Sequence, residues 1–246
     1  MKRYLLIGMV ALLALIVIAS VGAIAYVFLG SSAPASAPIS APTLAASTLA
    51  AASSTTGTQL FQIVPDQSEV RFTMTEMLRG QPNTVIGRTN QVAGSISIDP
   101  TTPANSQVGI VRVDARTLVT DSSMRNRIIG RAILQSDQFE YIEFKPTACT
   151  GLPQSVALNQ PFAFRITGDL TIRSVTHPVT FDATVTPVSA TQMKGSAAAT
   201  IQRSDYSLTI PSVPSVADVS EAVQLQIDFV AAATGGSAGA AAGASQ

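Results

Sequence analysis

The chain has 246 residues with 15 basic and 15 acidic side chains, one histidine, one cysteine and no tryptophan. Balanced charge supplies neither the basic footprint that nucleic acid needs nor a polybasic patch for anionic lipid headgroups. A single cysteine, Cys149, excludes an internal disulfide, so a fold must stand on its packed core and the thiol is expected to be buried and inert.

Lys2 and Arg3 precede an uncharged run, Tyr4–Leu29, and no cation follows until Arg71. At about 1.5 Å per residue, such a run crosses a ~30 Å hydrocarbon core as one helix. The positive-inside bias then keeps the N-terminus in the cytoplasm and sends the remainder out. Residues 1–30 are therefore expected to be a cytoplasmic stub and a single-pass transmembrane signal-anchor, with the domain on the extracytoplasmic side of the cell membrane. The competing reading is a cleaved signal that leaves a secreted or periplasmic protein. Gly22-Ala23-Ile24 and Ala23-Ile24-Ala25 offer small-x-small cleavage sites, but a signal's apolar region spans only about 7–15 residues. Residues 31–58 are almost entirely Ser, Ala, Pro and Thr, too poor in apolar surface to offset ordering entropy, and read as a disordered tether. Residues 235–246 form a similar Gly/Ala/Ser tail. The folded domain is expected over 59–234.

Within it, apolar residues alternate with polar ones, as they do on a strand with one dry face. The clearest strand is 162–172, where Phe162, Phe164, Ile166, Leu170 and Ile172 share a parity with Gly168. The same rule separates Val70, Phe72 and Met74 from their neighbours. It also selects Val92, Ile96 and Ile98; Val179, Phe181, Ala183 and Val185; and Val223, Leu225, Ile227 and Phe229. Weaker strands are expected at 61–64, 108–114, 141–145, 194–201 and 206–210. Asp121 or Ser122 can cap a short helix whose apolar face holds Met124, Ile128, Ile129 and Ala132, with its arginines on a solvated face. Roughly eight to ten antiparallel strands suit a sandwich or a closed barrel.

Several stretches resemble one known family. Ile166–Val179, with Gly168-Asp169-Leu170-Thr171-Ile172-Arg173-Ser174-Val175-Thr176-His177-Pro178-Val179, is similar to the G-D-L-T-I-R-G-V-T-x-P-V signature of exported YceI-like lipid-binding domains, with Ser174 in place of the second glycine. The stretch from Asp66 to Phe72 resembles the opening D-x-x-H-S-x-V-x-F motif. Val85-Ile86-Gly87 and Val92-Ala93-Gly94-Ser95-Ile96 resemble the V-x-G…G-x-I hairpin. Gln202–Tyr206 resembles the N-R-S-D-F/Y turn, and Val219–Ile227 the closing strand. The matches run in order over nearly the whole domain.

The resemblance implies an all-β fold: an extended, lipocalin-like antiparallel barrel of about eight strands with a short helix. Its apolar interior would hold a polyisoprenoid or another long-chain amphiphile. A barrel of about eight strands leaves room for side chains or one slender ligand, and a buried tail gains roughly 0.8 kcal/mol per methylene without any charge. If the apolar parities face inward, Phe72, Met74, Ile96, Phe164, Phe181, Ala183, Leu225 and Ile227 belong to the ligand lining. The chain departs from the family at Gln67, where a histidine is usual, and at Glu76, near the place of a second one. Arg125–Ile129 matches the R-D-x-H-L helix start only loosely, and the segment Thr75–Asn90 is longer than usual. These departures are expected to alter polar groups near the barrel mouth.

No catalytic or metal site is expected. His177, placed in a turn before Pro178, has no second ligand at metal spacing. Glu140 and Glu143, three apart on a strand, point to opposite faces. Arg165 and Arg173 fall on the polar parity and should face solvent, and Arg203-Ser204-Asp205 reads as a hydrogen-bonded corner or a headgroup clamp. The leading expectation is a membrane-tethered carrier whose partners are an isoprenoid-type lipid and, through Tyr4–Leu29, the membrane. No nucleic acid and no cofactor besides the lipid are expected, and monomer and homodimer both stay open. The alternative is a ligand-free cell-surface interaction or spacer module, which a filled interior would favour.

Overall fold

The computed structural model describes residues 39–40 and 58–234. The expected anchor Tyr4–Leu29, most of the expected tether and the expected tail lie outside the described residues. The fold is one curled antiparallel sheet of thirteen strand segments. They are β1 (Gln59–Ile63), β2 (Glu69–Leu78), β3 (Gln81–Thr89), β4 (Val92–Ala93), β5 (Ser95–Ile98), β6 (Gln107–Val108) and β7 (Val111–Asp114). There follow β8 (Tyr141–Thr150), β9 (Phe162–Ile172), β10 (Val175–Ser189), β11 (Gln192–Gln202), β12 (Val216–Ala217) and β13 (Ala222–Ala233).

The number exceeds the expected eight because three long staves bend. β13 pairs with β2 through 224–228 and with β1 through 231–233, so β1 and β2 share one side of it. At the switch, the buried Ser68 hydroxyl accepts from the Val230 amide at 3.2 Å and donates to the Val64 carbonyl at 2.8 Å. This satisfies an amide that would otherwise be orphaned, and gives the Asp66–Phe72 motif its structural work. The segment 92–98 likewise changes partner, β4 pairing with β7 and β5 with both β1 and β6, while the Gly94 carbonyl between them accepts from the Ile63 amide at 3.0 Å. With β1 and β2 counted as one bent stave, β3, β4 and β5 as a second and β6 with β7 as a third, and with the short β12 lying off the path, the ring returns on itself in eight staves. Closure removes most of the free edges an open sheet would present.

The long segment 75–90 forms a hairpin arm. Its turn residues Arg79 and Gly80 both have positive φ, 53° and 77°, the requirement of a two-residue turn that follows strand twist. β12, absent from the sequence-based expectation, pairs with the arm at Met77 and Leu78. The expected strand 206–210 is instead a turn: Ser207 has φ 52°, and Tyr206 and Leu208 are buried among the core residues.

The helix α1 (Ser123–Ile128) starts where expected, the Ser122 hydroxyl accepting from the Arg125 amide. It runs directly into a π-helical turn at 129–133. Ile128, Ile129 and Leu134 are buried, while Met124, in the first turn of α1, is exposed. The arginines are not on a solvated face either. Arg131 is buried, and the Arg125 guanidinium reaches the buried Glu76 carboxylate at 2.9 Å.

Candidate functional site

Inward side chains of the staves enclose a cavity of about 400 Å³ lined almost entirely by apolar residues. Its hollow centre has a sequence origin. Ala183 on β10 lies directly opposite Ala197 on β11, so two adjacent inward positions carry only a methyl group. Larger side chains ring that gap, among them Phe144 and Phe181, which meet edge to face at 4.9 Å. On β2, Phe72 lies across from Gly87, where an added Cβ would overlap the aromatic ring. The glycine of the Val85-Ile86-Gly87 motif is thus the space that Phe72 occupies.

All eight residues chosen from strand parity line this cavity. Phe72 and Met74 come from β2, Ile96 from β5, Phe164 from β9, Phe181 and Ala183 from β10, and Leu225 and Ile227 from β13. Parity could not find the lining contributed by irregular backbone. Ile129, Ile133, Leu134 and Leu208 close one end, and their approach to the barrel depends on tertiary packing rather than on a repeat. Cavity residues at this end, Ile129, Leu134, Ile201, Leu208 and Val223, are buried. At the opposite end, Pro100, Gln107, Ala157, Leu158, Ser189 and Ala190 line the cavity and are exposed. The cavity therefore opens between 99–107, 151–161 and 189–192. Along β9 it reaches from Phe162 to Ile172, roughly 33 Å at the rise of an extended strand.

Two charged side chains, Arg71 and Arg203, reach the lining. Arg203 donates from Nε to the Ser220 carbonyl and from Nη1 to the Leu208 carbonyl, both at 3.2 Å, and pairs through Nη2 with Glu221. The motif Arg203-Ser204-Asp205 thus forms a hydrogen-bonded corner at the closed end. Arg71 pairs with Glu69 at 2.7 Å and with Asp228. The Glu69 hydrogen bond, reinforced by both carboxylate charges, holds its guanidinium above the ordinary arginine range despite burial.

The departures from the family motif do not gather at the mouth. Gln67 is exposed and outside the cavity lining. Glu76 sits beyond the closed end, bonded to Arg125 and, at 2.9 Å, to the Asn83 amide. His177 lies within β10 opposite Leu170, not in a turn, and its exposed ring stands edge-on to Tyr206 at 5.3 Å. Arg165 faces solvent as expected, paired with Asp182 at 2.8 Å, but Arg173 turns inward and donates to the Ile133 carbonyl at 3.3 Å. Glu140 and Glu143 are held separately by Arg116 and Arg112. Cys149 is half-buried in the cavity wall, and burial pushes its thiol pKa up. Among the described residues, no three His, Cys, Asp or Glu side chains are grouped to hold a metal ion. The cavity wall is built almost entirely from apolar side chains.

A family model described as the YceI-like domain matches residues 61–231. A search of curated proteins finds no match. Among solved structures, a polyisoprenoid binding domain from Saccharophagus degradans, implicated in plant cell wall breakdown, superposes with a TM-score of 0.57 at 14% identity, covering 71% of this chain and 98% of that one. BcnA from Burkholderia cenocepacia gives 0.53 at 19% identity over 68% and 98% of the two chains. At these identities the likeness is one of fold.

Proposed function

This chain belongs to the YceI-like domain family, and on that premise we propose that it is a membrane-tethered, extracytoplasmic carrier holding a polyisoprenoid or similar long-chain amphiphilic lipid. The observation that carries the reading is the cavity: about 400 Å³, apolar, closed at one end and open at the other. Such a shape takes a slender chain end-on, and burial of apolar surface alone supplies the affinity. A structural neighbour described as a polyisoprenoid binding domain supports the same ligand class. The run Tyr4–Leu29 behind Lys2 and Arg3 supports the tether and its orientation. A ligand-free spacer would have no need of a hollow centre, and the facing Ala183 and Ala197 create one.

Organic extraction of the purified full chain, followed by mass spectrometry, tests the reading. A long-chain lipid should be recovered in near-stoichiometric amount, and Cys149 should alkylate faster after its removal. Ala183→Leu should then abolish the recovered lipid while shifting stability by less than about 1 kcal/mol, because the added methyls enter empty space rather than a packed core. An empty parent protein, with Ala183→Leu strongly destabilised, would sink the carrier reading. Orientation is tested by protease added to cells stripped of any outer envelope, which should remove the domain. A protected domain would place it on the wrong side.

A further inference from the structure

We propose that the lipid held in this cavity carries an uncharged head, such as a hydroxyl, carbonyl, ester or amide, and not a phosphate, diphosphate or carboxylate. The inference rests on the lipid-carrier reading and narrows its ligand class.

The charge inventory of the lining carries it. Arg71 and Arg203 are the only charged residues on the cavity wall among the described residues, and both are already engaged. Each of the three guanidinium nitrogens of Arg203 has a partner in Ser220, Leu208 or Glu221. Arg71 stands between two carboxylates, Glu69 and Asp228, and Glu69 is shared with Arg88, so two cations and two carboxylates balance and no positive charge is left over. An incoming anion would have to displace a carboxylate to reach either cation.

The mouth offers no substitute. Segments 99–108, 150–162 and 186–193 contain no Lys, Arg or His. Their one ionisable residue is Asp99, whose carboxylate is turned into its own loop. There it accepts from the Thr101 hydroxyl at 2.6 Å and from the Thr101 and Thr102 amides at 3.0 and 2.9 Å. The polar residues that line the mouth are neutral: Gln59, Gln107, Gln192 and Ser189. Amides and hydroxyls both donate and accept, and so can replace the water lost by an uncharged head. A phosphate or carboxylate drawn from water to the same place has no opposing charge to offset desolvation. Arg173, at the closed end, donates to the Ile133 carbonyl and lies outside the cavity lining, so the conclusion concerns a head held at the open end.

The test offers the full chain, purified in a maltoside detergent, an equimolar mixture of geranylgeraniol and geranylgeranyl diphosphate. Unbound lipid is removed by gel filtration, and both species are quantified by mass spectrometry. The alcohol should be retained in about tenfold excess or more, and the ratio should not move with ionic strength. Gln192→Lys adds a cation to the rim and should shift the ratio several-fold toward the diphosphate in the same detergent. Diphosphate retained as well as the alcohol by the parent chain overturns the inference and leaves the carrier reading standing. A preference that Gln192→Lys leaves unmoved assigns the selectivity to the micelle and also overturns it. Retention of neither lipid overturns both.

Discussion

At the closed end of the barrel, side chains from distant parts of the sequence are fastened by charge. Arg125 joins the helix to Glu76 on the hairpin arm, Arg173 holds the end of the π-helical turn, and Arg203 ties the turn after β11 to the start of β13. At the open end, the loops contain no basic residue and are held by Asp99, Ser and Thr hydrogen bonds within themselves. The contrast separates two demands. The closed end must seal the apolar cavity against solvent, and buried polar pairs with long reach fix its geometry. On the proposed carrier reading, the open end admits and releases a lipid, and fixed charges there would oppose its passage.

The largest effect expected from this division lies in the Glu76–Arg125 pair, whose side chains are 7% and 18% exposed. Removing one partner of a buried pair strands the other charge, at a typical cost of about 3–5 kcal/mol. Arg125→Met should lower the urea midpoint by an amount in that range and increase hydrogen exchange in 123–134. A loss of less than about 1 kcal/mol would mean the closed end is held by its apolar contacts alone.

Next in size is a pH dependence at the same end. Tyr206 is 1% exposed, and burial, with a smaller contribution from the Asp205 charge, pushes its pKa up to about 12. The folded state therefore favours the protonated phenol. Its contribution is fully present below the unfolded pKa of about 10 and is lost as pH rises towards 12. Unfolding curves should show a loss of roughly 2–3 kcal/mol through this window that Tyr206→Phe lacks. Because the buried hydroxyl has no hydrogen-bond partner among the described residues, Tyr206→Phe should cost nothing near neutral pH, and a gain of up to about 1 kcal/mol is expected. A loss at neutral pH would show that the hydroxyl is satisfied in solution.

These two sites also show where the sequence could be read and where it could not. On β9, every second residue from Phe162 to Ile172 is shielded relative to its neighbours, and period two alone identified the cavity face. The same period misled at 206–210. Tyr206, Leu208 and Ile210 alternate with polar residues as a strand would, yet the chain turns there, and the buried Tyr206 and Leu208 pack into the closed end. Glu76 and Arg125 lie 49 residues apart, and nothing local marks them as partners. The π-helical turn was hidden for a related reason: the packing that buries Ile129 and Arg131 is set by the barrel and not by a local repeat. Alternation specified the wall of the cavity, whereas long-range contacts specified its floor.

A smaller effect should come from the helix start. Ser122→Ala removes the hydroxyl that caps α1, at a typical cost of about 1 kcal/mol. The change should loosen the floor without altering the mouth, so hydrogen exchange should rise in 123–134 and not in 151–161. Equal increases in both segments would show that the two ends open together and erase the distinction between them.

The smallest change in stability is expected at the mouth. Leu158 lines the opening and is 57% exposed. Since it buries little against the protein, Leu158→Ser should change unfolding free energy by no more than about 0.5 kcal/mol. Its effect should be kinetic. A lipid leaving a bilayer must pass an apolar rim before it reaches the wall, and a polar residue at that rim raises the barrier without altering the bound state. Transfer of a lipid from phosphatidylcholine vesicles to the protein should therefore slow in Leu158→Ser, with release slowing in proportion and the equilibrium occupancy unchanged. An unchanged rate would move the entry route away from this loop. A large loss of stability would contradict the division itself, because the mouth would then share the structural burden carried by the closed end.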